Sequence, residues 1–214
     1  MDVTIRDATP ADAPFLAWVM QTAARSHRPL SFWDYGFPGP DAQRLEYLAA
    51  MALAEPICFA HYSGFLVAEH EGRPVGGLSG YDSATKGMDN FVVALTGLLQ
   101  AREWSADHQR LFVERTASVS TCMPESPPGV WIIEWVATTP SARGRGVANA
   151  LLREILARGR KGGYTKSQIS YLIGNTPAAT AYERVGFTNV DEKRHPDFDA
   201  AYGTPDIARM LRDL

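Results

Sequence analysis

At 214 residues the chain is long for one average domain and short for two, so one domain carrying an insertion is the leading organisation. Apolar residues at 45% supply a core, and charged residues at 21% exclude wholesale disorder. A net charge of −3 removes the basic face that a protein built mainly for nucleic acid depends on.

Residues 3–8 read as a strand. Thr9 as cap, Pro10 at the first helical position and Asp12 in the first turn then start a helix, with Phe15, Leu16 and Val19 on one face. The ring-rich stretch 27–40 reads as a loop. Its Phe32, Trp33, Tyr35 and Phe37 either line an acceptor pocket or pack on one another, with packing favoured. Leu45, Leu48, Ala49 and Ala52 repeat at helical spacing and predict a helix over 41–54. Residues 65–69 and 75–81 form a hairpin about Glu71-Gly72-Arg73. Residues 82–129 carry helical spacing at Met88, Phe91, Val92, Leu95, Leu98 and Leu99 before a proline-rich end, so they are a helical insertion between the third and fourth strands.

Residues 130–137, VWIIEWVA, are almost continuously apolar, as a strand buried on both faces is. A helix from Gly146 to about residue 160 and a strand at 166–174 follow. Next come a helix with Thr176 as cap, Pro177 inside and Gly186 closing, and a strand from Phe187. The segment 206–214 fits a last strand or a terminal helix. Cys58 and Cys122 form no CxxC pair and are too few for a disulfide scaffold, so buried thiols in a reducing cytoplasm are expected. No basic-then-apolar leader opens the chain, and no apolar run approaches the ~20 residues of a membrane helix. The five histidines lack paired-ligand spacing, so no metal is expected.

The chemistry concentrates where 130–137 meets its helix, at RGRGVA. Gly144 and Gly146 let a ligand approach the backbone and leave N–H groups pointing outwards. A helix start carries partial positive charge and takes anions. Between residues 143 and 161 Glu154 is outnumbered by basic residues at 143, 145, 153, 158, 160 and 161. A phosphate-bearing ligand suits this end. The dinucleotide pattern fails at Asn149 and lacks its acid near Lys166, and the Walker pattern lacks Gly-Lys-Ser/Thr. The run 153–161 reads as a solvated helix face.

A third pattern matches. RGRGVA fits [Q/R]xxGx[G/A], with Arg143, Gly146 and Ala148 in the fixed places. IEWVATTP precedes it, and NTPAATAYERVGF follows with a strand and a helix between. On these ordered pieces, over residues 130–190, the chain resembles the GNAT superfamily of N-acetyltransferases. The N-terminal half agrees in its strand–helix–helix–hairpin order, while the 82–129 insertion departs from the family's short link.

The resemblance implies an α/β (α+β) fold, with a central mixed, largely antiparallel sheet flanked by helices, over a single domain, 1–214. It implies transfer of an acetyl group from acetyl-coenzyme A to a primary amine by direct attack. The N–H groups of Gly144, Arg145, Gly146, Val147 and Ala148 would hold the pyrophosphate, with charge from Arg143 and Arg145. Val136, Ala137 and Thr138 would pair with the pantetheine arm as an added strand. Asn175 is the family's polar residue near that arm, or a turn residue. Glu134 is the candidate base, directly or through water, against a plain strand acid facing solvent or an arginine. Tyr182 is the candidate acid for the leaving thiolate, against a core ring beside Ala178, Ala179 and Val185. A small-molecule amine is the favoured acceptor, because an insertion of this size can cover the cleft. A protein N-terminus or lysine is the alternative, as is a non-catalytic acyl-CoA sensor. A homodimer is compatible with each. No nucleic-acid or membrane partner is implied.

Overall fold

The computed structural model describes residues 1–204 and 207–214; Asp206, which opens the closing segment of the sequence, lies outside them. The strands among the described residues are β1 (Thr4–Asp7), β2 (Phe65–His70), β3 (Arg73–Asp82), β4 (Val130–Thr138), β5 (Lys166–Leu172), β6 (Thr188–Lys193) and β7 (Ile207–Asp213). They form one sheet in the order β1-β2-β3-β4-β5-β7-β6. Only the β4–β5 pair is parallel; every other neighbour is antiparallel. The fold is the mixed, largely antiparallel sheet flanked by helices that the sequence implies.

The helices cover both faces. On one lie α1 (Ala13–Arg25), α2 (Phe32–Gly36), α3 (Asp41–Met51) and α5 (Met88–Ala101), packed on Val67, Ile132 and Ala137. On the other lie α7 (Val147–Lys161) and α8 (Thr176–Glu183), packed on Leu66, Leu78, Ile133, Ile169 and Met210. Ile132 and Ile133 thus point to opposite cores, which is why β4 reads as an unbroken apolar run. Between β3 and β4 stand α4 (Ser83–Lys86), α5 and α6 (Ala106–Cys122), so residues 82–129 are helical as expected.

Local chemistry explains the departures. The Asp12 carboxylate accepts from the Thr9 N–H (2.7 Å) and hydroxyl (2.9 Å), so Thr9 caps a 3-10 turn rather than α1 itself, whose cap is Asp12. A 3-10 turn over Pro10–Asp12 precedes α1. The expected loop at 27–40 contains α2, because Asp34 accepts from the Ser31 N–H and hydroxyl, both at 2.7 Å, closing a capping box over one turn. Helix α3 stops at Met51 rather than residue 54: bonds from Leu53 to Ala50 and from Ala54 to Met51 tighten its last turn ahead of Pro56. The cap of α8 is Asn175, whose Oδ1 accepts from the Ala178 N–H at 3.2 Å; Thr176 is the first helical residue. The closing segment is a strand: Ala208 and Met210 are fully buried in alternation, and β7 threads between β5 and β6. Helix α9 (Pro196–Tyr202) is an addition to the expected elements.

Candidate active site

β4 carries the centre of the site. Its parallel pairing with β5 runs only from Val130↔Lys166 to Ile133↔Ile169, although β4 continues to Thr138 and β5 to Leu172. On its other edge β4 stays with β3, but with an extra residue: Ser79 pairs with Glu134 and Gly77 with Ala137. Trp135 absorbs the surplus at φ +57, a region that costs a bulky side chain ~1–3 kcal/mol. The bulge bends β4 away from β5. Beyond Ile133 the β5-side edge of β4, through Thr138, therefore has no strand partner among the described residues.

The strand leads through a 3-10 turn at Pro140–Ala142 into the glycine loop. Gly144 (φ +71) and Gly146 (φ +82) both adopt the left-handed conformation, and a Cβ at either would meet nothing within 4 Å. Backbone geometry, not crowding, selects glycine here, and the space above is open. The Arg145 N–H donates to Ala142 at 3.3 Å and so turns inward, contrary to its expected role. The N–H groups of Gly144, Gly146, Val147 and Ala148 donate to no backbone acceptor among the described residues; the first helical bond runs from Ala150 to Gly146 at 3.0 Å. Arg143 and Arg145 are exposed, while Val147, Leu151 and Ile155 clamp α7 to the sheet. These donors, the open space and the bare edge of β4 fit a phosphate-terminated, amide-rich chain. Arg158, Arg160 and Lys161 sit at the far end of α7 in its last turn, where they complement its negative pole instead.

Glu134 is half-buried and pairs with no arginine among the described residues. The Tyr81 hydroxyl donates to its Oε1 at 3.0 Å. Burial pushes the Glu134 carboxyl up to about 7, against the opposing pull of that hydrogen bond. Burial first, then the Glu134 charge, pushes the Tyr81 phenol well above its ordinary value. Rings surround the pair: Phe59 lies 5.4 Å from Tyr81 and 6.2 Å from Trp135, and Trp33 lies 5.9 Å from Trp135. Trp33 and Phe37 are fully buried and pack as favoured, while Phe32 and Tyr35 of the same ring-rich segment stay half-buried.

Tyr182 is 6% exposed on α8, in the α7-side core, with Tyr171 and Phe187 rings 6.4 and 6.5 Å away. Its hydroxyl makes no hydrogen bond among the described residues, and burial holds its pKa well above the ordinary phenol value. No bond joins it to Glu134, which belongs to the opposite face. Both amide groups of Asn175 are committed: beyond its cap, Nδ2 donates to the Ser26 hydroxyl at 2.6 Å. Tyr81 is the partner that sequence reasoning missed. Its neighbour lies 53 positions away, across the insertion, and only the β3–β4 register reveals the pair.

Among the described residues no helix is long and apolar enough to cross a membrane, and no group of three His, Cys, Asp or Glu could hold a metal ion. A model of the acetyltransferase (GNAT) family matches residues 26–187. No curated protein matches the chain by sequence. Solved structures share the fold. The Salmonella typhimurium protein yncA, solved with its cofactor acetyl-CoA, is 17% identical (TM-score 0.53; 100% of this chain, 95% of that one). A polyamine N-acetyltransferase of Drosophila melanogaster that forms N-acetylagmatine is 16% identical (TM-score 0.56; 100% of both chains). A ribosomal-protein-alanine N-acetyltransferase from Brucella melitensis is 18% identical (TM-score 0.56; 99% of both).

Proposed function

The chain belongs to the acetyltransferase (GNAT) family, and from that premise we propose that it acts as one catalytic domain, moving acetyl from acetyl-CoA to a small primary amine. The observation that carries this reading is the Glu134 carboxyl, raised to about 7 by burial, at the point where β4 leaves β5. A base poised near neutral pH is what an ammonium acceptor requires before it can attack, since its own pKa is about 10.

The pyrophosphate of the donor rests on the free N–H groups of Gly144, Gly146, Val147 and Ala148, with Arg143 and Arg145 adding charge. Its amide-bearing arm takes the vacant edge of β4 at Val136, Ala137 and Thr138. Glu134 removes the ammonium proton, directly or through water, and the amine lone pair attacks the acetyl carbon. The C–S bond breaks, and the sulfur leaves with the electron pair. Tyr182, whose proton burial holds tightly, donates a hydrogen bond to that sulfur, and the thiolate takes up the second proton, which the new amide nitrogen gives up. Asn175 holds the start of α8, and with it Tyr182, against the end of α1.

The insertion supports the small acceptor. Helix α5 seats Phe91 against Phe59 at 4.8 Å and against Trp33 at 6.0 Å, roofing the rings beside Glu134. A protein segment needs an open groove there. Buried cysteines at 58 and 122 suit a cytoplasmic setting. The test is thiol release from acetyl-CoA across a panel of amines, with Glu134→Gln as control. Release should occur with at least one amine, and the variant should lower kcat/KM by ~10²–10⁴. Tight binding of coenzyme A with no release for any amine would make the chain an acyl-CoA sensor.

A further inference from the structure

A cavity of about 230 Å³ lies between the segment joining α1 to α2 and helix α9, lined by Arg28, Pro29, Leu30, Tyr35, Tyr202 and Gly203. Its walls are fixed: the Tyr35 hydroxyl donates to the Ala201 carbonyl at 2.7 Å, and the Tyr35 and Tyr202 rings meet edge-on at 5.1 Å. Arg28 is the cation of this cavity. It forms no ion pair with a described acid, and its Nε is buried without an acceptor. A guanidinium offers a fixed fork of donors, and leaving one dry and unmet is costly.

The charge of Arg28 is felt next door, where burial and then Arg28 hold His27 below the ordinary imidazole value. The Tyr202 hydroxyl is a second idle group: the residue is 7% exposed, and Ser118 faces it without closing a hydrogen bond. The seat of the guanidinium is built, not incidental. Gly203 ends α9 at φ +61, and a Cβ there would stand 2.4 Å from Arg28 Nη2. Any other residue would be strained and would push the arginine out.

The same segment reaches the transfer site. Ser26 holds Asn175, the His27 ring lies against Gly174, and Phe32, one turn before Tyr35, meets Trp135 at 6.3 Å. We infer that this cavity is an anion subsite for the acceptor, and that the acceptor is an amino-acid-like amine whose carboxylate docks on Arg28. A planar carboxylate matches the guanidinium fork, and the volume lies below the ~300–1,000 Å³ of sites for larger ligands. The inference rests on the reading of the chain as an N-acetyltransferase.

The test pairs each ω-amino acid of two to six carbons with its uncharged amide, using acetyl-CoA as donor. The best amino acid should exceed its amide at least tenfold in kcat/KM, through KM. Arg28→Gln should bring that ratio close to one, and Arg28→Lys should restore part of it. In parallel, the Arg28 Nε–Hε resonance of the full chain is followed by NMR as the same amino acid is added with coenzyme A present. A saturable shift is expected. Equal rates on acid and amide in the wild type, a ratio untouched by Arg28→Gln, or an unmoved resonance would each overturn the inference. If no amine is acetylated, the transferase reading fails separately, and the resonance alone decides the cavity: a saturable shift upholds the anion subsite and an unmoved one removes it.

Discussion

Tyr81 stabilises the charged form of Glu134, so it works against the burial that raises the carboxyl. As the proposed base Glu134 must be ionised to act, so activity should fall as pH drops through about 7. Tyr81→Phe removes a donor that favours the carboxylate, so the Glu134 pKa should climb further. The acid limb of the kcat/KM profile should move to higher pH, with little change on the alkaline plateau. A limb that stays put would take Tyr81 out of the tuning of the base. Tyr182→Phe removes a buried hydroxyl that bonds nothing among the described residues, so packing should hardly suffer. Transfer should slow by about tenfold to a thousandfold while coenzyme A affinity stays unchanged. Unaltered turnover would leave Tyr182 as a core ring only.

At the scale of elements, two short pieces of chain hold the site in shape. The glycine loop depends on left-handed geometry at Gly146, where a side chain costs about 1–2 kcal/mol before any ligand is considered. Gly146→Asp adds a like charge beside the phosphates, and calorimetry should show coenzyme A affinity lowered at least tenfold. The second piece is α2. Asp34, its side chain 2% exposed, accepts from both Ser31 groups and pairs with Arg25 (2.5 Å) and Arg44 (3.3 Å). Burial opposes its charge, but the hydrogen bonds from Arg25 and Ser31 win and hold its pKa below the ordinary carboxylate value. Asp34→Ala strips Arg25 and Arg44 of their buried partner, leaves both to the exposed Asp41 alone, and should cost ~1–3 kcal/mol in urea unfolding at neutral pH. A depressed carboxylate stabilises above its unfolded pKa of about 3.9 and loses that contribution as pH falls. The penalty should therefore shrink below pH 4; a constant gap would show that the ion pairs are not its source.

Over the whole molecule, legibility followed the range of the interactions. β4, the glycine loop and α7 were readable because an apolar run, two glycines and a helical period are local signals. The single turn of α2 was spelled by Ser31 and Asp34 alone, too little beside a crowd of rings and prolines. The ambiguity over 206–214 could not be resolved by period, since β7 is defined by insertion between β5 and β6, a contact with strands far up the chain. Tyr81 and Arg28 escaped for the same reason: each gains its meaning from a partner or a vacancy that only the folded sheet creates.

The early end of pairing between β4 and β5 has a mechanical corollary. The sheet is two leaves, β1–β4 and β5–β7, stitched along β4 and β5 by four residue pairs. A pantetheine arm lying in the gap would serve as a keystone, bonding to one leaf and wedged against the other. Ligation should therefore stiffen the molecule far beyond the contact itself: with coenzyme A bound, amide exchange at 134–138 should slow and the melting temperature rise, whereas unchanged exchange there would mean that the leaves lock without it.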